Sequence, residues 1–363
     1  MKGKKLVPQE LPSLESRRGL WYSLAAGDFD KDGDTDLFVG IRLLPFSYGM
    51  PCNGYILEND GHGHFTNITE KAAPGLLNTG MITGMVWSDI DNDNDPDIVI
   101  VGEWMPVKVF INNNNTFDDE SEKYGLANTE GWWHSITAKD LNGDGMTDFI
   151  LGNGGLNSRF RASVSEPVTM YINDFDLNGS VEQIICTYNG NKSYPLIMKD
   201  DLVKQIPSLE LRYVKNDDFK EQTMEDIFSP EVLNRSRKLK ANVMESCILM
   251  NRKNEGFALS ALSAEAQFSP VYAIFAEDFD NDGNCEILLG GNQYRAKPET
   301  GIYDASYGLL LKRKSGEIWE PVSPLLSGIF IKGEIRDFKS LSINGRRILT
   351  VAKNNNKLQF YKY

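Results

Sequence analysis

Apolar residues in this chain come in short runs bounded by Gly, Asn and Asp, not at the three- and four-residue spacing of an amphipathic helix. Runs at 23–26, 85–87, 135–138, 169–172 and 271–276 are each followed by an acidic stretch and a second run, at 37–39, 98–100, 149–151, 184–185 and 287–289. Each pair predicts two β-strands joined through an acidic loop. Further strands at 55–58 and 64–68 flank an Asn59-Asp60-Gly61 turn, which makes four strands for that unit. The same outer hairpin returns at 107–112 with 116–119, at 247–251 with 256–260, and at 308–312 with 317–321. One region departs from this rhythm: Leu202, Val203, Ile206 and Leu209, then Phe219, Met224, Ile227 and Phe228, predict a helical insertion over 199–240. Runs at 329–331, 335–338, 348–351 and 358–361 predict a last unit without an acidic loop. Four-stranded units recurring along one chain predict an all-β fold, a β-propeller of about five to seven blades spanning 1–363.

The acidic stretches share one nine-residue pattern, with oxygen-bearing side chains at positions 1, 3, 5 and 9. These are Asp28, Asp30, Asp32 and Asp36; Asp89, Asp91, Asp93 and Asp97; Asp140, Asn142, Asp144 and Asp148; Asp174, Asp176, Asn178 and Glu182; and Asp278, Asp280, Asp282 and Glu286. Position 7, occupied by Asp34, Asp95, Met146, Ser180 and Asn284, can add its backbone carbonyl. Alternate residues of a tight loop turn their oxygens toward one centre, and a terminal acid can bind through both oxygens. Such a cage of about six or seven oxygens suits Ca²⁺ better than the smaller, water-retaining Mg²⁺. Position 6 must bend sharply and is Gly33, Gly145, Gly179 or Gly283, with Asn94 in the second loop. Up to five structural Ca²⁺ ions are therefore expected.

Two other calcium-loop architectures are excluded. An EF-hand loop ends in Glu at position 12 between helices, whereas position 12 here is Val39, Ile100, Leu151, Ile185 or Leu289, each within a predicted strand. Fused short calcium repeats are excluded by the distances between first Asp residues, which are 61, 51, 34 and 104. Two carboxylates about 4 Å apart repel by roughly 4 kcal/mol at an effective dielectric of 20, so a cage without a cation is strained. The 34-residue interval is too short for a full blade, so either one blade is short or the fourth loop joins later strands.

Charge enters with the same meaning. The formal net charge is −13, from 38 Lys+Arg against 51 Asp+Glu, which makes nucleic acid a poor partner. Eighteen of the acids stand at loop positions, and five divalent ions would bring −13 to −3. With 41% hydrophobic residues the chain can bury a large core, yet no run approaches the roughly 20 apolar residues of a membrane helix. Residues 1–8 are basic without an apolar stretch behind them and do not read as a signal peptide. Cys52, Cys186, Cys247 and Cys285 are too few for a disulfide scaffold and read as free thiols.

With these loops and flanking strands the chain resembles FG-GAP/VCBS-repeat proteins, the calcium-loop propellers that include the integrin α-subunit head. The resemblance is closest to the C-terminal propeller of secreted bacterial VCBS proteins of the ASPIC/UnbV-associated kind, carried by Ala26-Gly27-Asp28-Phe29-Asp30, Gly131-Trp132-Trp133-His134, residues 155–160, 200–205, 267–270 and 354–358. It implies an extracellular or outer-membrane-surface location, on a longer parent protein that carries the export signal. It also implies a protein or glycan partner and association with SusC/SusD-like outer-membrane components of nutrient uptake.

Two clusters are candidates for ligand recognition: Trp132, Trp133, Asn157, Arg159 and Arg161, and Tyr294, Arg295, Tyr303, Asp304 and Tyr307. Aromatic plates beside Arg and Asp can stack on a sugar's apolar face while bonding its hydroxyls. No catalytic motif accompanies them, and His62, His64 and His134 read as turn and packing residues. The leading expectation is a non-catalytic binding propeller. The alternative is a calcium-dependent polysaccharide lyase or hydrolase on the same scaffold.

Overall fold

The computed structural model describes residues 20–297 and 300–363; the basic stretch at 1–8 lies outside them. Strands account for 42% of the structure and helices for 12%, in six separate antiparallel sheets among the described residues. Five of these sheets stand side by side like propeller blades, each inner strand packing against the next. The inner strands are Leu20–Gly27, Met81–Ser88, Ser135–Lys139, Val271–Glu277 and Ile335–Ile343.

The apolar runs are continuous, not alternating, because the second strand of a blade is covered on both faces. In Asp97–Met105, Ile98 and Ile100 pack with Phe29, Phe38 and Ile56 of the preceding blade, while Val99 and Val101 pack with Phe149, Leu151 and Leu249 of the following one. The pleat repeats this further on: Phe149 and Leu151 face backward, and Ile150 joins Ile287, Leu289 and Leu311 of the next blade. Burying one such side chain is worth about 1.5–3 kcal/mol, so the blades are held together mainly by their shared cores. Close approach also requires glycine. A Cβ on Gly152 would lie 2.4 Å from the Val271 carbonyl oxygen of the neighbouring blade.

The short interval between the third and fourth acidic loops has a topological cause. The third blade begins with Ser135–Lys139 and Asp148–Gly152 and is completed only by Cys247–Asn251 and Phe257–Ala261. The intervening chain builds a sheet of its own from Val168–Asn173, Glu182–Asn189, Lys192–Pro195 and Arg237–Ala241. One face of this inserted sheet, with Met170 and Ile172, packs on Met81 and Trp104 of the ring; the other, with Tyr171, Ile184 and Cys186, is covered by helices. Those helices lie between Lys199–Gln205 and Pro230–Arg235. The helical expectation for 199–240 is corrected at its end, because Arg237–Ala241 pairs with Val168–Asn173 as an edge strand.

The last blade has three strands, Ile335–Ile343, Arg346–Lys353 and Gln359–Lys362; residues 329–331, expected as strand, are irregular. Its inner hairpin turns on Asn344 and Gly345, both at positive φ, where the other blades carry an acidic loop. The four cysteines are free.

Replacing Gly152 with Ala is expected to cost about 1–3 kcal/mol, because the opposing atom is backbone and cannot rotate away. Denaturant unfolding of Gly152→Ala measures this; an unchanged midpoint would show that the blades separate at no cost.

Candidate functional site

All five acidic loops are wired alike. The position-2 N–H donates to the position-9 acid: Phe29 to Asp36 (3.2 Å), Ile90 to Asp97 (2.8 Å), Leu141 to Asp148 (3.0 Å), Phe175 to Glu182 (2.9 Å) and Phe279 to Glu286 (2.9 Å). The position-6 N–H donates to Oδ2 of position 1 at 2.8–3.2 Å. Position 3 accepts from the N–H of position 5, and position 5 from that of position 7. In the first two loops Oδ2 of position 1 shapes the loop and Oδ1 takes no part, whereas Asp140, Asp174 and Asp278 also accept a second loop N–H on Oδ1, from Gly143, Asn178 and Asp282. The chain is left-handed at position 6, as expected, and also at position 4, which is Lys31, Asn92, Gly143, Leu177 or Asn281. Position 4 is Asn or Gly in three loops and Lys31 or Leu177 in the other two, so its left-handed backbone is less evident in the sequence than that of position 6.

These arrangements concentrate negative charge. Three carboxylates offer oxygens within 4.8 Å of one another in four loops: Asp28, Asp30 and Asp32; Asp89, Asp91 and Asp97; Asp174, Asp176 and Glu182; Asp278, Asp280 and Asp282. The Asp140 loop has the neutral Asn142 at position 3. Burial pushes the acids at position 9 upward, Asp36 to about 6, Asp97 to about 7 and Asp148 to about 6. Buried oxygens of Asp28, Asp34, Asp89 and Glu286 have no hydrogen-bond partner. Unpaired, buried and crowded carboxylate oxygens are the donor set of a hard cation. In the Asp278 loop a lysine supplies positive charge: Lys312 Nζ lies 2.5 Å from Asp280, 2.7 Å from Asp282 and 3.5 Å from Glu286. The hydrogen bond from Lys312 holds Asp282 below the usual carboxylate range. Lys31 similarly pairs with Asp95 of the next loop.

The loops are also fastened to the blades that follow. Asn112 donates its backbone N–H to Asp97 (2.8 Å) and its Nδ2 to the Phe29 carbonyl of the preceding loop, 3.2 Å away. Asn251 does the same with Asp148 and the Ile90 carbonyl (3.2 Å). Arg313 reaches the Leu141 carbonyl (3.2 Å) and Arg347 that of Asp278 (3.0 Å). The four ring loops therefore line one end of the ring, while the Asp174 loop belongs to the inserted sheet.

At the opposite end lies a cleft of about 250 Å³, lined from four ring blades and the inserted sheet. Arg42 grips Glu103 with one nitrogen, at 2.7 and 3.0 Å from its two oxygens. Tyr48 donates to Glu103 (2.9 Å) and accepts from Trp104 Nε1 (3.0 Å). His134 stacks on Tyr272 at 4.4 Å, with Arg336 over the other ring contact of Tyr272 at 4.3 Å. Burial lowers the His134 imidazole to about 4, so it is neutral at physiological pH.

The candidate recognition residues divide. Trp132 and Tyr303, one from each sequence cluster, line this same cleft. Trp133 does not: it is 0% exposed in the core between blades, its Nε1 bonded to the Thr129 carbonyl at 2.9 Å, because successive strand residues point to opposite sides. Trp133 is thus corrected from ligand surface to core. Arg159 lines a neighbouring groove beside the helices, and Tyr294 and Arg295 are exposed. Arg42, Tyr48, Glu103 and Tyr272 escaped sequence reasoning because no motif links positions so far apart.

The FG-GAP-like repeat model matches residues 89–151 and the FG-GAP repeat model matches residues 20–41. The chain contains FG-GAP repeats, and its fold is propeller-like and all-β. No curated protein matches it. Among solved structures it is similar to an Agrocybe aegerita lectin that recognises non-reducing terminal N-acetylglucosamine, with 12% identity over 93% of this chain and 79% of that one and a TM-score of 0.32. It is also similar to the V. cholerae biofilm matrix protein Bap1, with 11% identity over 92% and 74% and a TM-score of 0.30.

Asn112→Ala strips the bonds to Phe29 and Pro96 and leaves buried carbonyls unpaired. It is expected to cost about 1–3 kcal/mol in chemical denaturation. A change below measurement error would show that the brace adds nothing to blade packing.

Proposed function

We propose that this protein is a non-catalytic, calcium-stabilised propeller of the extracellular space or cell surface that binds a protein or glycan partner. The observation that carries the metal assignment is the common wiring of the loops, with buried oxygens on Asp28, Asp34 and Asp89 that have no hydrogen-bond partner. Ca²⁺ would neutralise the crowded acids and tie each loop to the strands on either side. FG-GAP repeats are typical of extracellular and surface proteins and often mediate binding, which supports the location and the role. A binding role is further favoured by the cleft, where Glu103 is already engaged by Arg42 and Tyr48 instead of standing free as a general base.

Native mass spectrometry in calcium, followed by unfolding in chelator and in a calcium titration, tests this reading. Several bound ions are expected, and a site held at 100 times its dissociation constant adds about 2.7 kcal/mol. No bound calcium together with no shift in melting temperature would overturn it.

The loops should not be equal. Lys312 must leave the Asp278 loop before an ion can enter, so one site is expected to be weaker than the rest. Lys312→Met is expected to tighten that site alone, read as the loss of the weak class in a calcium titration; an unchanged titration would count against competition by the ammonium.

A further inference from the structure

The cleft opposite the acidic loops has a charge inventory that limits what it can hold. Arg42 is paired with Glu103 at 2.7 Å, and Arg336 with Glu334 at 3.0 Å. His134, deep between Glu103 and Tyr272, is neutral. The groups facing the cleft therefore sum to zero, and an ionic ligand would gain no unpaired counter-charge while losing its own water. A purely apolar ligand fits no better. It would cover the Gln293 amide and the Tyr303 hydroxyl and leave their polar atoms short of partners.

Two further observations define the ligand. Trp132 crosses Trp104 edge-on at 5.1 Å and Phe160 at 4.6 Å, forming an aromatic wall beside the charged network. Its indole Nε1–H is buried without an acceptor, so Trp132 meets the cleft as an apolar plate. The volume of about 250 Å³ falls just below the roughly 300–1,000 Å³ of drug-sized sites, which suits one ring and not a chain of them.

We propose that this cleft binds the terminal pyranose of a neutral glycan, its apolar face against the Trp132 ring and its hydroxyls on the Arg42–Glu103 pair and the polar ends of Gln293 and Tyr303. The assignment rests on the binding role proposed above and gives that role its ligand class. The inserted sheet contributes Ile185 to the same cleft, so the segment that interrupts the third blade also completes the pocket. A neutral sugar end, not a uronate or a phosphorylated group, meets these polar side chains without stranding a charge.

The test uses the full chain in calcium, with methyl glycosides of neutral hexoses and N-acetylhexosamines set against the matching uronates. Binding is read by saturation-transfer NMR and tryptophan fluorescence. At least one neutral glycoside is expected to saturate, with its uronate about tenfold weaker or worse. Trp132→Leu removes the aromatic plate but keeps apolar bulk and is expected to weaken binding about five- to tenfold. Absence of binding across the neutral panel, or equal binding of the uronates, would overturn the assignment. So would a loss of binding in Tyr294→Ala with none in Trp132→Leu, which would move the site to the exposed segment. A protein that counts calcium and melts as expected but binds no glycoside loses only this assignment, and the calcium-stabilised propeller stands.

Discussion

The structure depends on what is done with the carboxylate that closes each acidic loop. Asp36, Asp97 and Asp148 sit buried at the mouth of a second strand, each accepting one N–H from its own loop and one from the third strand of its blade. A buried acid is tolerable only when its oxygens are bonded. Here the two bonds join loop, second strand and third strand into one unit. In the second and third blades the third-strand residue that makes this bond, Asn112 or Asn251, also reaches the loop of the preceding blade with its side chain. Loop shape and blade packing are consequently one problem, and a cation at the loop centre would act on both.

The two ends of the ring answer opposite electrostatic demands. At the loop end like charges are crowded and partly unpaired, which favours a bound cation. At the cleft end opposite charges are paired across blades, Arg42 from the first with Glu103 from the second, and the aromatic rings of Tyr272 and Trp132 fill the space between. The loop end thus lends itself to stability and the cleft end to recognition.

The inserted sheet shows how one repeat can be put to another use. It keeps the loop wiring, with Phe175 donating to Glu182 and Gly179 to Asp174, but none of its strands joins the row of inner strands. Its two apolar faces serve instead to cap the ring with Met170 and Ile172 and to seat the helices with Tyr171 and Cys186.

Much of this was legible in the residues themselves. The loop pattern, its left-handed position 6 and the strands on either side are local matters, set by which residues can bend and which side chains can reach a neighbouring N–H within nine positions. The outer hairpins are local for the same reason. Three things were decided only by tertiary structure. The fourth loop left the ring because its strands pair with Arg237–Ala241, some 60 residues on, and hydrophobic pattern cannot choose a partner at that distance. Trp132 and Trp133 parted company because the pleat sends neighbours to opposite sides, and only the position of the core says which side is solvent. The cleft joined Arg42, Glu103, His134 and Tyr272 because four neighbouring blades bring the same ends of their strands together, a convergence that exists in space and has no counterpart along the chain.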